Sequence, residues 1–319
     1  MKSIAEIRGI DYQLLYYTYR KISNYEQWEA RDHASEYLVF PENIGTHLSL
    51  DEVSVSRGEL YTVLTNKYAK GRKGTLTAIV GSTRTDDIVM HTSSIPSRLR
   101  EKVQEVTLDL AENMAAAVKE LFPKAKIVAD RFHVEKLAHE VVQDLRVKLR
   151  WQAIKRENKA FKKAKAAGLR YKPKEFYNGD TEKQLLARSR YALFKRQSKW
   201  TKNQQMRMDI LFEEFPQLKK AHDHVMELNL IYSKDLSIEK ARIKLQKWLE
   251  KSRRHKATGF KLLANTIEQH FEHILNFFEN RSTNASAESF NGKIKYFRAL
   301  QRGVSDVNFF LFRLSKLYA

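Results

Sequence analysis

Val106-Thr107-Leu108-Asp109 and, one helix-length further on, Ala125-Lys126-Ile127-Val128-Ala129-Asp130-Arg131-Phe132-His133 decide how this chain is read. Each begins as a short apolar, β-branched run and is closed by an aspartate, which marks strands over Glu105–Leu108 and Ala125–Ala129. Between them Asp109 through Phe122 has helical spacing, and Pro123 stops it. Strand, helix and strand at this separation form a unit whose two strands run parallel.

Upstream, Thr46–Val55, Glu59–Thr65 and Thr75–Val80 alternate with period two and are rich in β-branched residues. Arg57-Gly58 and Gly71–Gly74 read as the turns between these strands, and a helix follows near Pro96–Val103. Residues 1–35 read as short polar and aromatic helices, with Pro41 and Gly45 ahead of the first strand. Downstream, the strand signal almost vanishes from Val134 to about Phe278. Lys-, Leu- and Glu-rich helical stretches are broken near Gly168–Pro173, Tyr177-Asn178-Gly179, Pro216 and Lys256–Gly259. A polar break at Asn280–Ala285 precedes a helix that runs through about Ala299. Three meander strands feeding β-α-β units predict an α/β fold, a mixed sheet with helices on its faces.

Composition narrows the chemistry. The 319 residues include no Cys, which excludes a disulfide framework, Cys-ligated zinc, an iron–sulfur site and a thiol nucleophile. No apolar run approaches the roughly 20 residues that span a bilayer, and the start has no apolar signal core, so no membrane association and a cytoplasmic location are expected. The net charge of +20 favours a polyanionic partner. It is concentrated: between Arg146 and Lys202 stand 19 Lys and Arg against four acids, so 19 − 4 = 15 of those 20 charges fall there. Eight aromatics lie among them, including Trp151, Phe161 and Trp200. The pattern suits either a solvated helical surface or a face that tracks a phosphate backbone, whose contacts position rather than specify.

Four acids stand out against this layout. Asp51 lies inside the first strand, Asp109 and Asp130 close two later ones, and Glu288 lies in the last helix. Acids at neighbouring strand ends converge on one edge of a sheet, and clustered carboxylates call for hard divalent cations. Two such ions about 4 Å apart serve phosphodiester chemistry. Each acid also has an ordinary reading. Asp109 with Glu112 makes an Asp-x-x-Glu capping box, Asp130 pairs with Arg131 or caps the next helix, and Glu288 sits on a solvated face. In the last helix Glu288, Asn291 and Lys295 share a face, with Asn284 one turn earlier, while Phe290, Ile294 and Phe297 form a docking face.

Taken together, these runs resemble the bacterial insertion-sequence DDE transposases of the ISL-three group. The resemblance rests on Leu48-Ser49-Leu50-Asp51-Glu52, on Val106-Thr107-Leu108-Asp109, on Leu121-Phe122-Pro123-Lys124-Ala125-Lys126-Ile127-Val128-Ala129-Asp130-Arg131-Phe132-His133-Val134, and on Asn284 through Lys295; the Gly303–Phe310 stretch also fits. It covers roughly residues 40–319.

The resemblance implies a ribonuclease H-like mixed sheet flanked by helices, with a long all-helical insertion before the last catalytic acid. Residues 1–40 would form a short helical segment, a helix-turn-helix remnant or linker. Residues 41–135 and 280–319 would build the catalytic core, and 136–279 the basic insertion. It further implies Asp51, Asp109 and Glu288 as the metal-binding catalytic triad for two Mg²⁺ ions, with Mn²⁺ as substitute. Asp130 is the rival second acid; Asp130, His133 and Asn291 otherwise have supporting roles. Arg131, Arg150, Lys155, Arg156, Lys162, Lys163, Lys293, Lys295 and Arg298 would contact double-stranded DNA, both element ends and target. The expected chemistry is strand cleavage followed by strand transfer, by a homo-oligomer on nucleoid DNA. Many relatives carry a Cys-rich zinc module and a helix-turn-helix before the core; this sequence has no Cys, and one hypothesis is that a separate chain supplies end recognition.

Two other classes remain open on the sequence: a ribonuclease H-like nuclease without strand transfer, and an inactive DNA-binding derivative. No Gly-x-x-x-x-Gly-Lys-Ser/Thr loop supports nucleotide hydrolysis, and no nucleophilic serine elbow is present. His270 and His273 lack a third metal ligand nearby, and His222-Asp223-His224 reads as solvated.

Overall fold

The computed structural model describes residues 2–56 and 58–319, and the chain forms two compact units. Met1–Asp130 together with Asn280–Ala319 makes the first, and Arg131–Glu279 the second.

The first unit is built on a six-stranded mixed sheet. Its strands are β1 (Tyr37–Val39), β2 (His47–Ser54), β3 (Leu60–Asn66), β4 (Leu76–Val80), β5 (Glu105–Leu108) and β6 (Lys126–Ala129), in the order β1-β4-β3-β2-β5-β6. The three meander strands pair antiparallel, whereas β5 lies parallel to β2 and β6 parallel to β5. Helices α1 (Lys2–Arg8), α2 (Tyr12–Ile22), α3 (Thr85–Thr92), α4 (Ser97–Arg100) and α5 (Glu112–Leu121) belong to the same unit.

The period of two sorts the side chains onto two faces. Leu48, Leu50, Leu64, Val106, Leu108 and Ile127 bury one face against Ile88 of α3 and Met114, Ala117, Val118 and Leu121 of α5. Val53, Val63, Leu76 and Ile79 bury the other against Phe290 and Ile294 and against Phe310, Leu311 and Leu314. Those partners lie on the last two helices of the chain. Phe290 and Ile294 are both fully buried, and such side chains are worth about 1.5–3 kcal/mol each. That docking brings the C-terminal segment onto the sheet.

The second unit is helical: α6 (Arg131–Ala166), α7 (Glu182–Arg188), α8 (Lys202–Glu214), α9 (Pro216–Ser233), α10 (Ile238–Arg253), α11 (Gly259–Gln269) and α12 (Phe271–Asn280). Helix α6 runs for 36 residues and packs on α7, α9 and α11. The chain returns to the sheet and ends with α13 (Ala285–Leu300) and α14 (Val307–Tyr318). No described helix is long and apolar enough to cross a membrane.

Four local expectations need correction. The segment over residues 1–40 is not wholly helical, because Tyr37–Val39 pairs with Ala78–Val80 at the sheet edge; three residues are too few to show a period. The helix expected from Asp109 starts at Glu112, with Ala111 extended as its N-cap, so Asp109 and Glu112 form no capping box. His222 and His224 are not solvated: they are 3% and 8% exposed, and His224 stacks on Trp248 with ring centres 4.5 Å apart. Arg57, half of the expected Arg57-Gly58 turn, lies outside the described residues, while Gly58 takes a φ of +86°.

Candidate active site

Strand register aligns three aspartates. The β2–β5 ladder pairs His47 with Glu105 and Ser49 with Thr107; continued two residues, it sets Asp51 level with Asp109. The β5–β6 ladder pairs Leu108 with Ala129; continued one residue, it sets Asp109 level with Asp130. The Asp130 N–H donates to the Leu108 carbonyl at 2.8 Å, so the ladder reaches that level. Side chains at one level of a parallel ladder leave the sheet on the same face. Here it is the face shared by Val53 and Val63, onto which α13 docks.

Helix α13 reaches this row at two points. Asn291 donates from Nδ2 to Asp51 Oδ2 at 2.7 Å and to the Glu52 carbonyl at 3.2 Å. Asp51 Oδ1 accepts the Glu52 N–H at 2.8 Å, so both carboxylate oxygens are oriented. The Asn284 N–H donates to Asp130 Oδ1 at 3.2 Å. Glu288 is exposed, on the same helix three residues before Asn291. Burial, and then the nearby charge of Asp109, push the Glu52 carboxyl above its ordinary range.

The acids differ in access. Asp51 and Asp109 are half-buried, whereas Asp130 is fully buried. Within the first unit, Asp109 and Asp130 each offer a ligand atom within 4.8 Å of the other. His133 lies three residues beyond Asp130 along the chain. Asp51 and Glu288 stand outside that grouping, so the expected triad is not drawn together as tightly as these two aspartates.

The donor chemistry fits a hard cation. Carboxylate oxygens dominate, and hard divalent ions take oxygen ligands. Around them are buried amide atoms without a protein hydrogen bond: Oδ1 and Nδ2 of Asn284 and Oδ1 of Asn291. Such orphans cost about 1–3 kcal/mol each unless something polar satisfies them.

Of the residues expected to touch DNA, Lys295 on α13 and Arg150, Lys155, Lys162 and Lys163 on α6 are exposed. Arg156 is exposed and bonded to Glu182. Others hold the fold itself. Lys293 donates to the Gly71 carbonyl at 2.6 Å, Arg298 to the Ser54 carbonyl at 3.0 Å, and Arg131 lies 3.6 Å from Glu135. Arg146, counted within the basic stretch, is buried and bonds the Leu186 carbonyl.

Sequence reasoning missed a further group beside the row. Lys67 Nζ donates to Thr107 Oγ1 at 2.7 Å, to Ser282 Oγ at 2.8 Å and to Glu105 Oε1 at 3.2 Å. Its one legible trace was the step of two that puts Glu105, Thr107 and Asp109 on one face.

No curated protein and no solved structure matches this chain. A family model does: residues 48–314 match that of the ISL3-type DDE transposases. That span takes in β2 from its second residue, β3 to β6, the helical unit and α13. The mixed sheet is therefore a ribonuclease H-like core, and the chain belongs to the ISL3-type DDE transposase family of DNA-cleaving enzymes.

Proposed function

We propose that the chain cuts a DNA strand at the end of an insertion sequence and joins the freed 3′-hydroxyl to target DNA, with Asp51, Asp109 and Glu288 holding two Mg²⁺ ions. The observation that supports this reading is the parallel pairing of β2 with β5, with Asp51 and Asp109 each two residues beyond its last pair, together with the bond from Asn291 of α13 to Asp51, Glu288 lying three residues before Asn291. When bound, such ions activate an attacking water or hydroxyl and stabilise the leaving oxygen of the phosphodiester, and Mn²⁺ substitutes for Mg²⁺.

The chain's own residues have separate tasks. Asn291 and the Glu52 N–H hold Asp51 in one rotamer, which is the preorganisation a ligand carboxylate needs. Asp109 is reachable because its helix starts three residues later and leaves it outside the first turn. Asp130, fully buried and engaged by the Asn284 N–H, braces the row, and His133 positions DNA or the leaving group. The exposed cations Arg150, Lys155, Lys162, Lys163 and Lys295 hold the phosphate backbone through salt-sensitive contacts.

The deciding experiment is strand cleavage and strand transfer in Mg²⁺ or Mn²⁺, comparing wild type with Asp51→Asn, Asp109→Asn, Asp130→Asn and Glu288→Gln. Loss of both activities in the first, second and fourth is expected. Full activity of Asp109→Asn with an inactive Asp130→Asn would exchange the second acid, and cleavage without joining would make the chain a nuclease.

A further inference from the structure

Residues 280–284 carry the chain into α13 and are fastened at alternate positions. Asn280 Nδ2 donates to Glu105 Oε2 at 3.3 Å, Ser282 Oγ accepts from Lys67, and the Asn284 N–H donates to Asp130. Between the first two, Arg281 takes a φ of +53°. A non-glycine residue in this region costs about 1–2 kcal/mol and persists only where its surroundings impose it.

The anchor is a buried ion pair. The side chains of Lys67 and Glu105 are 14% and 4% exposed. Replacing such a pair with apolar side chains is often neutral or stabilising, so net stability gives it no reason to exist. Geometry gives one. Asn284 is the N-cap residue of α13, yet its side chain makes no capping bond. The start of that helix is therefore set from outside, by the contacts of residues 280–284. Glu288 lies six positions after Ser282, so an error at the anchor is passed along the helix to that carboxylate.

We infer that Lys67 and Glu105 are positioning residues: they fasten residues 280–284 to the sheet, fix where α13 begins, and so set where Glu288 stands with respect to Asp51 and Asp109. This rests on the reading of Glu288 as the third carboxylate. The pair touches neither DNA nor metal in this role, and it acts through the helix start.

The test uses the full chain in two measurements on Lys67→Met, Lys67→Arg, Ser282→Ala and Glu288→Gln. The first is hydrogen exchange of residues 281–292 in metal-free protein. The second is the Mn²⁺ concentration that gives half-maximal nicking of supercoiled plasmid DNA. Lys67→Met and Ser282→Ala should speed exchange in the first turn of α13 at least tenfold and raise the Mn²⁺ requirement several-fold. Lys67→Arg, which keeps a cation for Glu105 and Ser282, should recover most of both. Wild-type exchange and wild-type Mn²⁺ demand in Lys67→Met and Ser282→Ala would overturn the inference. Ser282→Ala leaves the ion pair in place and decides the matter should Lys67→Met fail to fold. Nicking by Glu288→Gln at the wild-type rate would instead refute the role of Glu288, while the exchange data still judge the anchor.

Discussion

Replacing Asn291 tests the link between α13 and the first acid. In Asn291→Ala the 2.7 Å bond to Asp51 and the 3.2 Å bond to the Glu52 carbonyl both disappear. A hydrogen bond to a charged group is worth about 1.5–3 kcal/mol, and a long neutral one about 0.5 kcal/mol. Asp51 keeps its bond from the Glu52 N–H, and water enters to solvate the freed oxygen, so the net loss of stability should be about 1–2 kcal/mol. At about 2–4 °C per kcal/mol for a unit of this size, Tm should fall by roughly 2–8 °C. The rate should fall further than stability alone implies, because an unheld Asp51 samples other rotamers. A 10- to 100-fold loss in Mn²⁺-dependent plasmid nicking is expected, which corresponds to about 1.4–2.8 kcal/mol at the transition state. Asn291→Asp sharpens the test by setting one carboxylate against another. Its Tm should lie below that of Asn291→Ala without divalent ion, and Mn²⁺ should raise it by more than it raises wild type. Nicking by Asn291→Ala within twofold of wild type, together with a lowered Tm, would show that the contact only packs the helix and would refute the reasoning.

Two further outcomes are expected. Burial first, then the neighbouring His255, lower His224 to about 4, so its neutral form is the folded one. The stability it contributes is complete above pH 6.5 and is lost as pH falls towards 4, by roughly 3 kcal/mol at most; His224→Phe should flatten that part of a Tm-against-pH curve, and an unchanged slope would remove His224 as the cause. Gly71 has a φ of +72°, and a Cβ there would lie 2.7 Å from Lys293 Nζ. Gly71→Ala should cost about 1–2 kcal/mol through the left-handed backbone, with Lys293 displaced from the carbonyl it bonds; a calorimetric Tm equal to wild type would show that the turn relaxes freely.

The sheet was legible because its signals are local. Val106-Thr107-Leu108-Asp109 and Ile127-Val128-Ala129-Asp130 announce strands by β-branching and end on polar residues, and both lie where expected. The spacing of Phe290 and Ile294 announced a docking face, and both are buried against the sheet. What stayed hidden depends on partners distant in sequence. Lys67 meets Ser282 across 215 residues, and no period or motif records such a pairing. Polarity misled at His222-Asp223-His224: Asp223 does face solvent, but the helix turns the histidines on either side of it inward, where Trp248 and the Lys195 carbonyl receive them. The capping box at Asp109 failed for a related reason. Asp-x-x-Glu is a short pattern, and it cannot reveal that the chain stays extended through Ala111 before turning into the helix.

That late helix start separates the roles of two aspartates that look alike in sequence. Asp109 and Asp130 both follow a strand, and the register sets them level. A cation that must also meet a phosphodiester needs ligands with an open side, and a half-buried carboxylate has one. Fully buried Asp130 has already given one oxygen to the Asn284 N–H. Neutralising Asp109 should therefore remove Mn²⁺-induced stabilisation, which equals RT ln(1 + [Mn²⁺]/Kd), with little effect on the ion-free Tm. Neutralising Asp130 should do the reverse, lowering the ion-free Tm because an amide now stands where a buried carboxylate accepted the helix's N–H. Measured side by side, the two melting series divide ligand from brace without any turnover. An Asp130→Asn protein that keeps its ion-free Tm and loses its response to Mn²⁺ would make Asp130 the ligand and Asp109 the brace.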